Sequence, residues 1–133
     1  MTLQDGDIRF ECLIRHLDHD VYRICEHPIL VEDQFLFGDC VRLRKIDEKS
    51  FEFLDVTSKS DLEFVQYIVG EPVAQDIEPI LDQVSRANGY WQRDFGGVLS
   101  LYYNRTKFDP TSELDVVLAK HKSHKRSPVQ PRA

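Results

Sequence analysis

The sequence predicts an α+β protein: an N-terminal antiparallel β-meander or small open barrel packed with a C-terminal β-α-β-α layer. Three observations predict it. Apolar and polar residues alternate with a period of two through much of residues 7–56. The rhythm then changes, so that residues 76–88 carry apolar side chains at helical spacing. Gly, Pro and Asn-Gly signals fall between these segments. At 133 residues, 41% hydrophobic and 30% charged, the chain has the size and composition of one folded domain.

The elements follow in order. Ile8, Phe10, Cys12 and Ile14 form the apolar face of a strand over residues 7–15, and the polar cluster His16-Leu17-Asp18-His19-Asp20 reads as a turn. Val21 to Cys25 forms a second strand, hairpinned to the first and ended by Pro28. Residues 28–37 read as a crossing loop with buried anchors, among them Val31, Phe35 and Leu36. Gly38-Asp39 is a turn signal before a strand over Cys40 to Ile46, and after the polar loop 47–50 comes a strand over Phe51 to Val56.

Leu62 to Val69 is β-branched and aromatic, a strand ended by Gly70. In the helix that follows, Ile77, Ile80, Leu81 and Val84 share a face, Asp76 is the expected cap, Pro79 falls in the first turn, and Asn88-Gly89 is the stop. Gly96-Gly97 leads into a strand over Val98 to Tyr103, in which alternation exposes one of Tyr102 and Tyr103. Asp109-Pro110 caps and starts a last helix bearing Leu114, Val117 and Leu118. The expected organisation is a single domain over residues 1–119, its two lobes meeting near 57–61, and a basic disordered tail over 120–133.

Charge is unevenly spread. The net charge is −6, but the tail holds five basic residues and no acid, so residues 1–119 hold 12 basic against 23 acidic residues, a net of −11. Such a body repels phosphate backbones and attracts a basic partner. Plain solubility is the competing explanation. Nucleic acid is therefore not expected on the body, and only weak, salt-sensitive contact through the tail. No apolar run approaches the roughly 20 residues that cross a bilayer, so no membrane association is expected. The first seven residues lack a basic n-region and an apolar h-region, so no secretory signal is expected. Cys12, Cys25 and Cys40 are odd in number, widely spaced and free of any Cys-x-x-Cys, which fits buried thiols in a reducing cytoplasm.

The layout of Tyr22-Arg23-Ile24, Pro28 and Gly38-Asp39-Cys40-Val41-Arg42-Leu43, followed by a strand, a helix ending at Gly89 and a closing strand–helix pair, resembles a family of small uncharacterised bacterial α+β domains over residues 8–119. The resemblance implies an α+β fold and a bacterial cytoplasm. It carries over no catalytic residue.

Two constellations stand out. His16, Asp18, His19 and Asp20 offer imidazoles and carboxylates, the ligand types of zinc, manganese and non-haem iron. The cluster is similar to the His-x-His-x-Asp-His signature of binuclear metallohydrolases but has Asp18 where that signature has a histidine, and a solvated hairpin turn explains it as well. Tyr90, Trp91, Arg93 and Phe95, with Tyr103 on the next strand, combine the residue types enriched at interface hot spots; a core role for Trp91 competes. Asp94-Phe95-Gly96 matches a kinase tripeptide without the other kinase parts, and Cys25 with His27, two apart on one strand, makes a poor nucleophile pair. No catalytic residue and no cofactor is expected.

The expectation is a non-enzymatic, cytoplasmic protein-interaction module, of the inhibitor or immunity type, whose acidic body meets a basic protein. The alternatives are a metal-binding protein or metal-dependent enzyme using the 16–20 hairpin, and a small-ligand sensor with a pocket between meander and helices.

Overall fold

The computed structural model describes residues 1–70, 74–120 and 124–125. The fold is α+β, and the chain divides into two units, Met1–Ser60 and Asp61–Ala133.

The first unit is one six-stranded sheet. Its strands are β1 (Thr2–Asp5), β2 (Ile8–Glu11), β3 (Ile14–Asp18), β4 (Val21–Ile24), β5 (Cys40–Asp47) and β6 (Ser50–Ser58), in the order β2-β1-β6-β5-β4-β3. Two expectations change here. The segment 7–15 is two strands rather than one, because Cys12 and Leu13 carry the chain from one edge of the sheet to the other. Two residues span at most about 10 Å, so the sheet must curl until its edges approach, without closing into a barrel. The second change is β1, a four-residue strand too short for its alternation to register. It hairpins to β2 through a turn containing Gly6, at φ +60, and pairs in parallel with β6, Leu3 opposite Phe51.

Curling gathers Leu3, Ile24, Val41, Leu43 and Phe51 inside, where Val31 and Phe35 of the crossing loop join them. The loop is pinned by Asp39. Its buried carboxylate accepts the Leu36 amide at 2.9 Å and the Ser60 amide at 2.8 Å, tying the start of β5 to the chain just beyond β6. Gly38, at φ +86, stands 3.0 Å from the Ser60 hydroxyl measured from where a Cβ would be, so a side chain there would meet both strain and contact.

The second unit runs β7 (Glu63–Ile68), α1 (Ala74–Arg86), β8 (Tyr90–Asp94), β9 (Val98–Tyr103), α2 (Thr111–Lys120) and β10 (His124–Lys125). Its sheet has the order β10-β7-β9-β8, antiparallel throughout. The expected β-α-β-α order thus gains a strand, since the aromatic segment before Gly96 pairs with β9 as a hairpin. Alternation sends Val65, Tyr67, Leu99, Leu101 and Tyr103 to one face, where Ile77, Ile80, Leu81 and Val84 of α1 and Leu114 and Leu118 of α2 pack on them. The tail expected from Lys120 falls mostly outside the described residues; within it Lys120 closes α2, and His124 and Lys125 pair with Ile68 and Tyr67.

Helix ends show how sequence sets geometry. Asp109 accepts both the amide and hydroxyl of Thr111, at 2.9 and 2.6 Å, at the start of α2; Pro110, expected in the first turn, instead stands just before the helix, where its carbonyl accepts the Leu114 amide at 3.0 Å. α1 begins two residues earlier than expected, which places Pro79 at its sixth position. At its far end Asn88, not Gly89, takes the left-handed conformation, with φ +63. Asn88 N–H donates to Ser85 and Gly89 N–H to Val84, a Schellman closure. Gly89 is required for a different reason: a Cβ there would lie 2.5 Å from the Tyr102 carbonyl oxygen.

Three outcomes follow from these constraints. Asp39→Ala strands two amides and is expected to cost about 3 kcal/mol in denaturant unfolding; a loss under about 1 kcal/mol would show that the loop holds without its carboxylate. Gly89→Ala is expected to cost about 2 kcal/mol or more through overpacking, whereas Asn88→Gly, in the same turn, changes stability by less than about 1 kcal/mol. The third concerns pH. Burial, and next the Glu26 charge, push the Cys12 thiol up to about 12 from an ordinary 9.0, so its ionisation favours the unfolded chain. Stability held by the neutral thiol is complete below about pH 9 and is lost as pH climbs toward about 12. Cys12→Ala is therefore expected to flatten the fall of unfolding free energy over that range.

Candidate interaction surface

In the second unit, packing decides where charge goes. Because Ile77, Ile80, Leu81 and Val84 of α1 point at the sheet, Asp76, Glu78 and Asp82 are turned outward. In α2, Leu114 and Leu118 point inward while Glu113 and Asp115 are exposed. The only basic residues on the two helices are their last, Arg86 and Lys120, where a cation suits the helix dipole. Between the helices runs a shallow, mostly apolar groove of about 440 Å³, lined by Ile80, Val116, Val117, Ser112 and Glu113. Val116 is 59% exposed.

The first unit handles charge differently. Arg42 makes a forked pair with Asp55, at 2.8 and 3.2 Å, and Arg44 meets Glu52 at 2.8 Å, both across β5 and β6. Its 13 acids face 8 bases, whereas residues 61–119 hold 10 acids and 4 bases. Of those four bases, Arg105 pairs with Glu63 at 3.5 Å and Arg93 lies over the Trp91 ring, 5.8 Å from its centroid. The acidic excess of the second unit is therefore concentrated on the helices. The sequence showed the net charge but not this placement; the signal was that Asp76, Glu78 and Asp82 fall between the apolar positions of α1.

The aromatic–arginine cluster is divided by the sheet. Trp91 and Arg93 lie on the helix side of β8, where Trp91 packs against the core and the Arg93 guanidinium donates to the Ala74 carbonyl at 3.3 Å. Tyr90 lies on the other side and donates its hydroxyl to Gln92, at 2.7 Å. Phe95 stands wholly in solvent at the tip of the β8–β9 hairpin, 102% exposed. Tyr103 is a core residue. The expectation that one of Tyr102 and Tyr103 is exposed is corrected, because Tyr102 is buried too, stacked on Phe64 at 4.8 Å.

Three rows of side chains cross the face opposite the helices: Tyr90–Tyr102–Phe64, Gln92–Ser100–Gln66 and Asp94–Val98–Ile68. In the middle row Gln66 donates to the Ser100 hydroxyl at 3.1 Å, and Gln92 donates along β8 to Asp94 at 2.9 Å. Asp94-Phe95-Gly96 is the hairpin turn, with Gly96 and Gly97 at φ +84 and +77. Beside it a cleft of about 310 Å³ is lined by Val69, Ala74, Arg93, Asp94 and Gly97, at the small end for a ligand site.

The first hairpin keeps its polar residues exposed but does not converge them. The His16 ring nitrogen bonds the His19 carbonyl at 2.8 Å, and the ring stands 4.9 Å from Tyr22. His19 occupies the left-handed turn position, φ +47, and lies 3.6 Å from Asp18; Asp20 sits 3.9 Å from Arg42. Among the described residues no group of three or more His, Cys, Asp or Glu side chains is placed to hold a metal ion. Cys25 and His27 do not form a pair: the Cys25 thiol points at the Arg23 carbonyl, while His27, its side chain 1% exposed, holds Glu32 at 2.8 Å. The shifted titrations have structural causes. Burial raises Tyr67 and Tyr103, the Thr2 hydroxyl lowers Glu11, and the Lys49 amide lowers Asp47.

Among the described residues no helix is long and apolar enough to cross a membrane. No family model and no curated protein matches the sequence. Among solved structures the chain is similar to a hypothetical protein from Neisseria gonorrhoeae, with 13% identity over 91% of this chain and 84% of that one and a TM-score of 0.55. At that identity the likeness is one of fold, shared with a bacterial protein itself described only as hypothetical.

Proposed function

We propose that this protein is a non-enzymatic protein-interaction module whose acidic helical face receives a basic segment of a partner protein, in the manner of an inhibitor or immunity protein. One observation carries the reading: five exposed carboxylates, Asp76, Glu78, Asp82, Glu113 and Asp115, lie on two adjacent helices flanking an apolar groove with Val116 exposed. The groove supplies area to bury and the carboxylates supply steering, a division of labour common to charged interfaces. A cationic amphipathic segment matches both. Three free thiols support a reducing, cytoplasmic setting, and the hypothetical bacterial protein of similar fold supports a bacterial one.

The test is titration of the intact protein with a synthetic Lys/Leu amphipathic helix. Affinity is expected to fall roughly tenfold or more between about 50 and about 300 mM salt. Lys substitutions at Asp76, Glu78, Asp82 and Glu113 are expected to weaken binding by at least about tenfold. The same number of reversals in the first unit, at Asp7, Asp18, Asp33 and Glu48, is expected to leave most of it. Equal losses from the two sets would reduce the effect to net charge and overturn the reading, as would binding indifferent to salt.

A further inference from the structure

The sheet edges of the two units are not alike. β3 is broken by a bulge between His16 and Asp18, β2 is four residues long, and β7 is partly covered by β10. These are the usual ways of making an edge unattractive to other strands. Among the described residues β8 has neither a bulge nor a covering strand. It is the outer strand of its sheet, and its five residues, Tyr90-Trp91-Gln92-Arg93-Asp94, pair with β9 in unbroken register and include neither Lys nor Pro.

The order of those residues matters. In an antiparallel pairing of β8 with itself, centred on Gln92, directly opposite residues share a face. Trp91 then stands opposite Arg93 of the second copy, and Arg93 opposite Trp91 of the second copy. On the other face Tyr90 stands opposite Asp94 of the second copy. Each contact is a pairing the strand already makes or approaches within one chain: Arg93 lies over Trp91, and Tyr90, Gln92 and Asp94 are linked by hydrogen bonds. One residue further out, the fully exposed Phe95 comes opposite Gly89, which has no side chain to obstruct the ring. Shifting the register by one residue sets Arg93 opposite Gln92 in one direction and opposite Tyr90 in the other, and Trp91 opposite Asp94 or Gln92, so the reciprocal Trp–Arg pair is lost.

We propose that this protein forms a twofold homodimer by antiparallel pairing of β8 with β8 of a second copy, joining the two sheets into one. The occupant of the edge is a second copy because the strand's reversed sequence sets the Arg93 cation against the Trp91 ring and the Tyr90 hydroxyl against the Asp94 carboxylate, each pair made twice, as an isologous contact demands. This goes beyond the binding of a basic partner and uses a different part of the unit.

The experiment is sedimentation velocity on the full chain from about 1 to about 200 μM, together with Gln92→Cys and Arg93→Asp variants. The unsubstituted protein is expected to shift from monomer to dimer across that range. Across the twofold axis the Cα atoms at position 92 come about 4.5–5.5 Å apart, within disulfide reach. Gln92→Cys is therefore expected to yield a covalent dimer on mild oxidation, while Ser85→Cys, exposed on α1, and the unsubstituted protein with its three native thiols do not. Arg93→Asp, at an exposed position and checked for an unchanged circular dichroism spectrum, is expected to weaken dimerisation at least about tenfold. A protein that stays monomeric to about 200 μM overturns the proposal. So does a dimer that neither cross-links through position 92 nor responds to Arg93→Asp. Binding of the basic helix is measured separately, so loss of one behaviour with retention of the other shows which reading has failed.

Discussion

The register of β9 governs the second unit. Leu99, Leu101 and Tyr103 face the helices, and Val98, Ser100 and Tyr102 face away. A slip of one residue would turn Ser100 into the helical core and put Leu101 beside Gln66 and Gln92, exchanging an apolar layer for a polar row. Correct register is therefore worth the burial of several large side chains, on the order of 1.5–3 kcal/mol each. Everything on the surface follows from it. With the apolar stripes of α1 and α2 committed to that layer, their acids have only the outward face left. Trp91, opposite Leu101, is drawn toward the core while Gln92 is turned the other way.

The two units deal with acidity by different means. In the first, arginines on β5 meet carboxylates on β6 directly across the strands, so charge is cancelled locally and each exposed pair contributes little stability. In the second, the helices carry five acids and two bases, and both bases sit at helix ends. Apart from Asp76 and Glu113, whose first-turn positions suit the helix dipoles, these acids gain nothing in folding. Charge of one sign left on one face raises the cost of packing the helices together and raises the rate at which a cationic molecule arrives. That asymmetry is the physical reason to look for function on the helices rather than on the curled sheet.

Much of this was legible before the structure. Period-two alternation located β4 to β7 and β9, and the apolar spacing of Ile77, Ile80, Leu81 and Val84 located α1 and its buried face. What was missed has a common cause. β1 and β8 are short, and their pattern is set by neighbours distant in sequence: β1 by its parallel contact with β6, β8 by its hairpin with β9. The bend at Cys12-Leu13 was invisible because alternation continues through it while the partner strand changes. Asn88 and Gly89 exchanged roles because two constraints meet there, a left-handed turn that Asn tolerates and a close approach to Tyr102 that only Gly permits. For the candidate surfaces, composition named the residue types, Asp and Glu on one hand and Tyr, Trp and Arg on the other. It did not say that the sheet would part the aromatic cluster between two faces or gather the acids on two helices.

The helical face and the β8 edge belong to one layer of the second unit, since α1 packs against β8. Antiparallel pairing of β8 preserves the faces of the sheet, so both copies would carry their helices on the same side. Two acidic helix layers would then lie next to each other across the twofold axis, and their repulsion opposes assembly at low ionic strength. Added salt would screen that repulsion and so strengthen such a dimer, while it would weaken attraction to a cationic segment. A bound basic segment would do for such a dimer what salt does, by neutralising the charge the two copies share. On the two proposals together the surfaces would be linked: a partner that discharges the helices would lower the cost of bringing two β8 strands together, and by reciprocity a dimer, with its doubled acidic face, would hold that partner more tightly than the monomer.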